Sequence, residues 1–242
     1  MNTHKPTVII PAYNESQRIL GVLKALKQVA EVKEIIIVDD GSVDDTAAVI
    51  EAFMPQDRRI KLLRQPMNQG KGAAIFTAWA TVATEYVVML DGDLIGLHPE
   101  HIHALCEPVL SGSCDMTLGV FKGGDWKTDF SHWVTPWLSG QRCLRRDMLQ
   151  SVSFQAAAGY GLETALTVAA RQQGWKVKQV PLVGMSHPIS EVHRGGLKGV
   201  FHRLKMYAQI VRAWYLANHE KPPQNSMLND RRDISKGKQT LL

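Results

Sequence analysis

The chain has 242 residues, of which 45% are hydrophobic and 21% are charged, and its formal net charge is +5. This share of apolar side chains excludes intrinsic disorder over most of the chain, and no apolar run reaches the roughly 18 residues of a membrane-spanning helix. Three scattered cysteines exclude a disulfide framework and a zinc cluster, so a reduced, cytoplasmic setting is expected. The first residues lack the pattern of a secretory signal peptide.

The positive charge is concentrated near the C-terminus. Residues 194–218 carry five basic residues and no acidic one, and residues 221–242 carry five basic and two acidic residues. The rest of the chain is therefore mildly acidic, which argues against a nucleic-acid partner, because such proteins usually spread basic residues over the folded core. Residues 221–242 are polar throughout, and we expect a disordered basic tail there.

The first half of the chain alternates strand and helix patterns. Continuous apolar runs of the kind buried in parallel sheets predict four strands, at residues 7–11, 34–39, 59–64 and 85–90. Helical periodicity or an Ala-rich composition predicts the intervening helices, at residues 16–29, 44–53 and 72–84. This order predicts an α/β fold built on one doubly wound, mostly parallel sheet.

The second half is less regular. Its pattern predicts a strand at 115–121, a Trp-containing loop at 122–137, a helix at 159–173 and a strand at 176–183. A long C-terminal helix is predicted at 197–217, with an apolar stripe flanked by basic residues. Such a helix either packs on the domain or lies on an anionic membrane surface.

Polar, turn-forming residues follow each of the first four predicted strands. These segments are residues 11–15, 39–46, 68–72 and 91–93. Because ligands bind outside the carboxyl ends of the strands in an open parallel sheet, we expect the four segments to form one site. The first turn lacks the glycines of a dinucleotide site, and the sequence around Lys71 lacks the P-loop spacing, which excludes both kinds of nucleotide site.

Asp91 and Asp93 occupy alternate positions after an apolar strand. Two carboxylates so placed can share Mg²⁺ or Mn²⁺ with the phosphate oxygens of a substrate, and an ordinary β-turn is the alternative. Asp40, at the end of the Ile-rich strand, can accept a hydrogen bond from a base or ribose. Asp44 and Asp45 are expected to cap the next helix instead.

Lys71 begins a predicted helix after a glycine-containing turn. A cation and unpaired backbone N–H groups at a helix N-terminus suit a diphosphate. A solvated lysine in a turn is the alternative interpretation.

Four segments in this order resemble glycosyltransferase family 2, whose members have the GT-A nucleotide-sugar fold. They are VIIPAYNE at 8–15, IIIVDDGSVDDT at 35–46, NQGKGAA at 68–74 and MLDGDL at 89–94. Two later segments, SGQRCLRRDML at 139–149 and GYGLETAL at 159–166, resemble the acceptor side of the family. The resemblance covers residues 7–190, and two subgroups are similar: polyprenyl-phosphate sugar synthases and glucosyl-3-phosphoglycerate synthase-like enzymes.

The resemblance implies a metal-dependent glycosyltransferase. It would move a hexose from a UDP- or GDP-linked sugar to an anionic acceptor, either a polyprenyl phosphate or a small phosphorylated metabolite. The family's D-x-D motif would hold Mg²⁺ or Mn²⁺ and corresponds to Asp91 and Asp93, with Asp93 as the direct ligand. The family's donor contacts correspond to Pro11, Tyr13 and Asp40 for the nucleobase, Glu15 for the ribose region, and Lys71 and Asp91 near the nucleotide.

The resemblance also assigns residues on the acceptor side. Glu163 falls where the family places an acid near the acceptor, as a base or as an orienting group; a plain helix N-terminal acid is the alternative. His187 falls where the phosphoglycerate-type subgroup completes the metal site, and a loop histidine is the alternative. Arg142, Arg145 and Arg194 are candidate acceptor-binding residues, because guanidinium groups suit phosphate and carboxylate; a solvated basic face is the alternative.

The expected organisation is one GT-A domain over residues 1–220, with a nucleotide-sugar half at 7–95 and an acceptor half at 96–220. Because the chain lacks the C-terminal membrane spans of the lipid-linked subgroup, a peripheral contact of helix 197–217 with the inner face of a membrane stays open, as does a homodimer. Three rival functions are open. A haloacid-dehalogenase-type phosphohydrolase would explain LDGDLI alone. A sugar-phosphate nucleotidyltransferase normally opens with a Gly-rich turn and an Arg, which this sequence lacks, and the presence of both Asp91 and Asp93 argues against a non-catalytic sugar-nucleotide sensor.

Overall fold

The computed structural model describes residues 4–122, 139–157 and 161–186, together with 211, 212, 214–216, 218 and 219. The strands are β1 (Thr7–Ala12), β2 (Glu34–Asp39), β3 (Ile60–Arg64), β4 (Tyr86–Met89), β5 (Met116–Lys122), β6 (Arg142–Arg145) and β7 (Val177–Val183). The helices are α1 (Ile19–Lys27), α2 (Thr46–Phe53), α3 (Lys71–Trp79), α4 (Pro99–Leu110) and α5 (Leu162–Gln173).

The described strands form one seven-stranded sheet in the order β3-β2-β1-β4-β6-β5-β7. β6 runs antiparallel to its neighbours β4 and β5, and the other pairings are parallel. The predicted α/β fold with a doubly wound, mostly parallel sheet is therefore confirmed. The first half of the chain contributes four adjacent strands, and β6 joins them to the strands of the second half.

The sheet is covered on both faces, which explains its continuous apolar strands. Alternate residues along a strand point to opposite faces, and Ile10 and Ile37 belong to the core cluster that includes α1, α2 and α4. Ile9 and Ile36 belong to the other cluster, with α3 and α5. This arrangement leaves the carboxyl ends of β1, β2 and β4 open at one edge.

Two of these strands and α-helices were not predicted from the sequence. α4 contains Pro108 and two histidines, which obscure its apolar periodicity. β6 has only four residues, with Arg142 and Arg145 at its ends, and a buried arginine at a strand end does not resemble a core position. The predicted helix at 16–29 begins only at Ile19, because the amides of Arg18 and Ile19 donate to the carbonyl of Glu15 in a turn.

Little of the predicted helix at 197–217 falls within the described residues. Where it does, at 211, 212 and 214–216, the backbone is helical. Leu216 is partly buried against the core cluster that includes α3 and α5, whereas Val211, Trp214 and Tyr215 are exposed. In the described part of the chain, the helices lack the combination of length and hydropathy that crossing a membrane requires.

Candidate active site

The loop after β1 is fastened to the loop after β2. Asn14 adopts a left-handed conformation with φ of 57°, which asparagine tolerates better than most residues. Its amide donates to Ser42 Oγ at 2.9 Å, and its Oδ1 accepts from the amide of Val43 at 2.9 Å. The amide of Glu15 donates to Thr46 Oγ1 at 2.7 Å. Pro11 is half-buried and Tyr13 is exposed at the same edge of the sheet.

Asp40 holds the loop that precedes α3. Its Oδ1 accepts from the amide of Gln69 at 2.8 Å, and its Oδ2 accepts from the amide of Gly70 at 2.7 Å. The residue is 3% exposed. Asp40 thus orders the loop that leads to Lys71, a structural role that was not predicted from the sequence. Contact of Asp40 with a nucleobase stays a prediction.

The predicted capping of α2 is met by Asp44. Its Oδ1 accepts from the amide of Thr46 at 3.0 Å, and its Oδ2 accepts from the amide of Ser16 at 3.2 Å. The side chain of Asp45, also predicted to cap, makes no cap hydrogen bond within the described residues. Asp44 therefore satisfies the first amide of α2 and joins this helix to the loop after β1.

Lys71 lies between two carboxylates at the centre of the edge. Its Nζ is 2.6 Å from Asp91 Oδ1 and 2.6 Å from Glu163 Oε1. Burial by itself lowers the pKa of the ammonium, but the charges of Asp91 and Glu163 outweigh it and hold this pKa above its ordinary value. The fold thus brings three residues predicted from distant segments into direct contact.

Two glycines allow the elements at this edge to approach closely. A Cβ on Gly72 would lie 1.8 Å from the carbonyl oxygen of Ala157, so α3 can rest against that segment only because position 72 has no side chain. A Cβ on Gly140 would lie 2.4 Å from Lys71 Nζ and 2.7 Å from Asp91 Oδ2. The chain before β6 therefore passes directly over the Lys71–Asp91 ion pair.

Asp93 lies at the same edge, close enough to Glu15 for their charges to interact. Burial, and then the negative charge of Asp93, raise the pKa of the Glu15 carboxyl above its ordinary value, while Arg18 opposes the shift. Carboxylate oxygens that repel one another suit a hard divalent cation, which prefers oxygen ligands. The structure brings the charges of Asp93 and Glu15 together, and the binding of Mg²⁺ or Mn²⁺ by Asp91 and Asp93 stays a prediction. The described residues hold no group of three or more His, Cys, Asp or Glu arranged around one point.

The burial of Arg142 argues against the prediction that its guanidinium binds the acceptor. It is 0% exposed, and its guanidinium donates to the carbonyl oxygens of Ser139 and Glu163 and to Thr167 Oγ1. Burial lowers its pKa to about 10 although the nearby Glu163 opposes the shift. Its contacts with residues 163 and 167 instead fix the first turn of α5, which carries Glu163.

Arg145 lies at the opposite edge of the sheet, which corrects its assignment to the acceptor. Because β6 is antiparallel to β4, Arg145 pairs with Tyr86 at the start of β4, whereas Asp91 follows the end of β4. Its guanidinium forms an exposed ion pair with Asp147 at 2.6 Å. The sequence motif could not show where Arg145 lies, because the direction of β6 is decided by its antiparallel pairing with β4 and β5.

His187 and Arg194 lie outside the described residues, as does the Trp-containing loop except for Lys122. Ser186, the residue before His187, forms a two-way backbone bridge with Ile95: each amide donates to the other's carbonyl, at 3.0 and 3.1 Å. Ile95 is two residues beyond Asp93. The chain that leads to position 187 thus starts beside the Asp91–Asp93 turn.

The model of the family described as Glycosyl transferase family 2 matches residues 7–162, which is more than half of the chain. The chain belongs to glycosyl transferase family 2. Membership explains why the four strand-end segments occur together and in this order. It also excludes the rival phosphohydrolase and nucleotidyltransferase interpretations, which account for single segments only.

Two kinds of curated relative of this family 2 protein have names that include a phosphorylated compound. A glucosyl-3-phosphoglycerate synthase of Mycobacterium tuberculosis is 30% identical over 195 residues, which cover 67% of this chain and 59% of the relative. A dolichyl-phosphate beta-glucosyltransferase of Trichomonas vaginalis is 38% identical over 96 residues, covering 36% of this chain and 28% of the relative. The chain therefore matches about three fifths of the first relative's length.

Solved structures confirm the fold. The crystal structure of glucosyl-3-phosphoglycerate synthase from Mycobacterium tuberculosis, in complex with Mn²⁺, UDP and phosphoglyceric acid, has a TM-score of 0.70 at 24% identity. The alignment covers 91% of this chain and 80% of the other. The same protein with Mg²⁺ and UDP also has a TM-score of 0.70. The GT-A fold expected from the motifs is thereby confirmed.

Proposed function

We propose that this family 2 protein transfers a hexose from a UDP- or GDP-linked sugar to a phosphorylated acceptor, with Mg²⁺ or Mn²⁺ as cofactor. The observation that carries the proposal is the convergence of Lys71, Asp91 and Glu163 in direct contact at the carboxyl edge of the sheet. Asp93 and Glu15 lie at the same edge. This edge thus combines the Asp91 and Asp93 carboxylates, which suit a cation, with the Lys71 ammonium, which suits the diphosphate. Glu163 adds a carboxylate on the acceptor side.

Asp91 and Asp93 would hold the metal, with His187 as a third ligand. When bound, the metal withdraws negative charge from the diphosphate oxygens of the leaving group. Lys71 would stabilise the same negative charge on the leaving diphosphate. Its ammonium lies beside the metal-binding position, 2.6 Å from Asp91 Oδ1, and a fixed positive group is most effective where negative charge develops. Asp93 is proposed as the direct ligand.

The donor would lie across the ends of β1 and β2. Pro11, Tyr13 and Asp40 are proposed to contact the nucleobase, and Glu15 the ribose region. The hydrogen bonds of Asn14 to the loop after β2 support this arrangement, because they hold the two loops together as one surface. The transferred sugar would then extend toward Glu163.

Glu163 is proposed to orient the acceptor or the transferred sugar, or to act as a base. Its Oε1 contacts Lys71, and its backbone carbonyl accepts from Arg142, so its position is defined from two sides. The acceptor is proposed to be a small phosphorylated acid, because the longer alignment is with a glucosyl-3-phosphoglycerate synthase; Arg194 is the candidate that remains for its charge. The dolichyl-phosphate relative keeps a polyprenyl phosphate as the second candidate.

The test is a transfer assay with Mn²⁺, a UDP-linked or a GDP-linked hexose, and either 3-phosphoglycerate or a polyprenyl phosphate in detergent. The wild-type protein should transfer the hexose from one of the donors to one of the acceptors. Asp93→Asn should reduce transfer by at least about a hundredfold, since a metal ligand is lost. Asp147→Asn, at the opposite edge, should retain activity. Wild-type rates in Asp93→Asn would contradict the metal assignment, and absence of transfer from both UDP- and GDP-sugars would contradict the proposed function.

A further inference from the structure

Gln141 is a buried polar residue beside the metal-binding turn to which the sequence motifs assign no role. It is 0% exposed and lies immediately before β6. Its Nε2 donates to Asp91 Oδ2 at 2.7 Å, and its Oε1 accepts from Ser139 Oγ at 2.9 Å. Its carboxamide is thus hydrogen-bonded at both ends within the site.

The chemistry of the partners decides which way the amide points. An ionised carboxylate only accepts hydrogen bonds, so the NH₂ group of Gln141 must face Asp91. The Ser139 hydroxyl donates to the side-chain oxygen Oε1 of Gln141, and it accepts from the backbone N–H of Gln141 at 3.3 Å. Ser139 therefore stabilises one orientation of the carboxamide, the one that donates to Asp91.

Asp91 is held from two sides. Lys71 contacts Oδ1 and Gln141 contacts Oδ2, so rotation of the carboxylate would break two charge-assisted contacts. The carbonyl of Gln141 accepts from the amide of Gly119 in β5 at 2.8 Å, which anchors the residue to the middle of the sheet. The glycine at position 140 leaves no side chain between this segment and the ion pair.

We infer that Gln141, oriented by Ser139, is a positioning residue that sets the direction of the Asp91 carboxylate for the metal and diphosphate. The inference rests on the proposed function, because it assigns the D-x-D carboxylate a fixed orientation before the donor arrives. Groups that orient metal-binding side chains typically contribute about 10- to 100-fold to affinity or activity. Gln141 touches neither substrate nor metal in this role.

The first measurement is the pH dependence of unfolding for Gln141→Glu. At pH 8 this variant places two carboxylates in contact, and it should be clearly less stable than wild type. Toward pH 5.5 the pair should share one proton, so the deficit should shrink. The double variant Asp91→Asn/Gln141→Glu exchanges the amide and the carboxylate and should recover part of the stability at pH 8. Gln179→Glu, an exposed position on β7, is the matched control and should show neither effect.

The second measurement is calorimetric binding of UDP with Mn²⁺ at pH 8. Gln141→Glu and Gln141→Ala should each bind at least about tenfold more weakly than wild type, and Gln179→Glu should bind as wild type does. The double variant Asp91→Asn/Gln141→Glu should still bind UDP with Mn²⁺ weakly, although part of its stability is recovered, because position 91 no longer carries a carboxylate. Ser139→Ala keeps Gln141 and Asp91 but removes the hydroxyl that orients the Gln141 side-chain carboxamide, so its loss of affinity should be smaller. This variant replaces Gln141→Glu in the measurement if Gln141→Glu does not fold.

The outcomes separate the inference from the proposed function. If Gln141→Glu loses no more stability than Gln179→Glu at any pH, the contact with Asp91 has no energetic weight and the inference is overturned. Wild-type affinity for UDP with Mn²⁺ in folded Gln141→Ala would also overturn it, since the contact would then be structural only. If wild type binds neither UDP nor GDP with Mn²⁺, the proposed function fails, while the pH-dependent stability still decides whether Gln141 holds Asp91.

Discussion

At the scale of single residues, Lys71 links the chemistry of the site to its stability. Its ammonium neutralises Asp91 and Glu163, two carboxylates that burial would otherwise place side by side. Because its pKa is raised in the folded protein, the stability it contributes is fully present below the pKa of the unfolded chain. That stability is lost only as the pH rises through the folded-state value, far into the alkaline range.

Lys71→Met should therefore destabilise the protein at neutral pH. The two remaining carboxylates lose their shared counter-charge, and breaking a buried ion pair in this way costs about 3 kcal/mol. Urea denaturation at pH 7 and pH 5 should show the penalty shrinking at the lower pH, where one carboxyl binds a proton. Lys61→Met removes an exposed ion pair with Glu34 and should cost less than about 1 kcal/mol. Equal penalties in the two variants would contradict a central role for Lys71.

At the scale of elements, an arginine at the start of β3 joins α1 to the sheet. The last carbonyl groups of a helix have no partner within it. The Arg59 guanidinium donates to the carbonyl of Leu26 in the last turn of α1 and to the carbonyl of Val29 just beyond the helix. Asp57 accepts from Arg59 Nε at 2.9 Å and from Nη2 at 2.7 Å. The pair thus stabilises the helix that follows the β1 loop of the site.

Asp57→Asn should lower stability in a pH-dependent way. The hydrogen bonds from Arg59 hold the pKa of the Asp57 carboxyl below its ordinary value of 3.8, although burial opposes the shift. Its contribution is therefore present above about pH 4 and is lost as the pH falls through the lower folded-state pKa. The variant should be less stable than wild type by about 1–3 kcal/mol at pH 7. The difference should shrink below pH 4 in urea denaturation; a difference independent of pH would contradict the ion pair.

At the scale of the whole molecule, the site is assembled from both halves of one sheet. Asp91 and Lys71 come from the first half, and Gln141 and Glu163 from the second. β6 makes this possible, because its antiparallel direction places the residues before it at the carboxyl ends of the parallel strands. The bridge between Ile95 and Ser186 also joins the chain just after β7 to the loop that follows Asp93.

Donor nucleotide and metal should therefore stabilise the whole domain. Binding to the folded state at a hundred times the dissociation constant adds about 2.7 kcal/mol, so UDP or GDP with Mn²⁺ should raise the melting temperature by several degrees. If His187 is a ligand, His187→Ala should reduce the shift with Mn²⁺ more than with Mg²⁺, because Mg²⁺ prefers oxygen ligands. His103→Ala, an exposed histidine near Glu31, is the control. Equal losses with both metals would contradict the His187 assignment.

Much of the fold and part of the site were determined by the sequence alone. Apolar runs buried on both faces identified β1, β2, β3 and β4 within a residue or two of their ends. Because parallel strands must end at one edge, the polar residues that follow them had to share a site, and Lys71 and Asp91 do so in contact. These inferences hold because they depend on local composition and on strand direction alone.

Tertiary structure decided what local patterns could not. Arg142 and Arg145 are three residues apart with the same side-chain chemistry, yet one is buried against α5 and the other is exposed at the far edge of the sheet. Gln141 became a partner of Asp91 only through the pairing of β6 with β4. The physical reason is that burial, strand direction and charge pairing depend on contacts between residues distant in sequence, which no short segment specifies by itself.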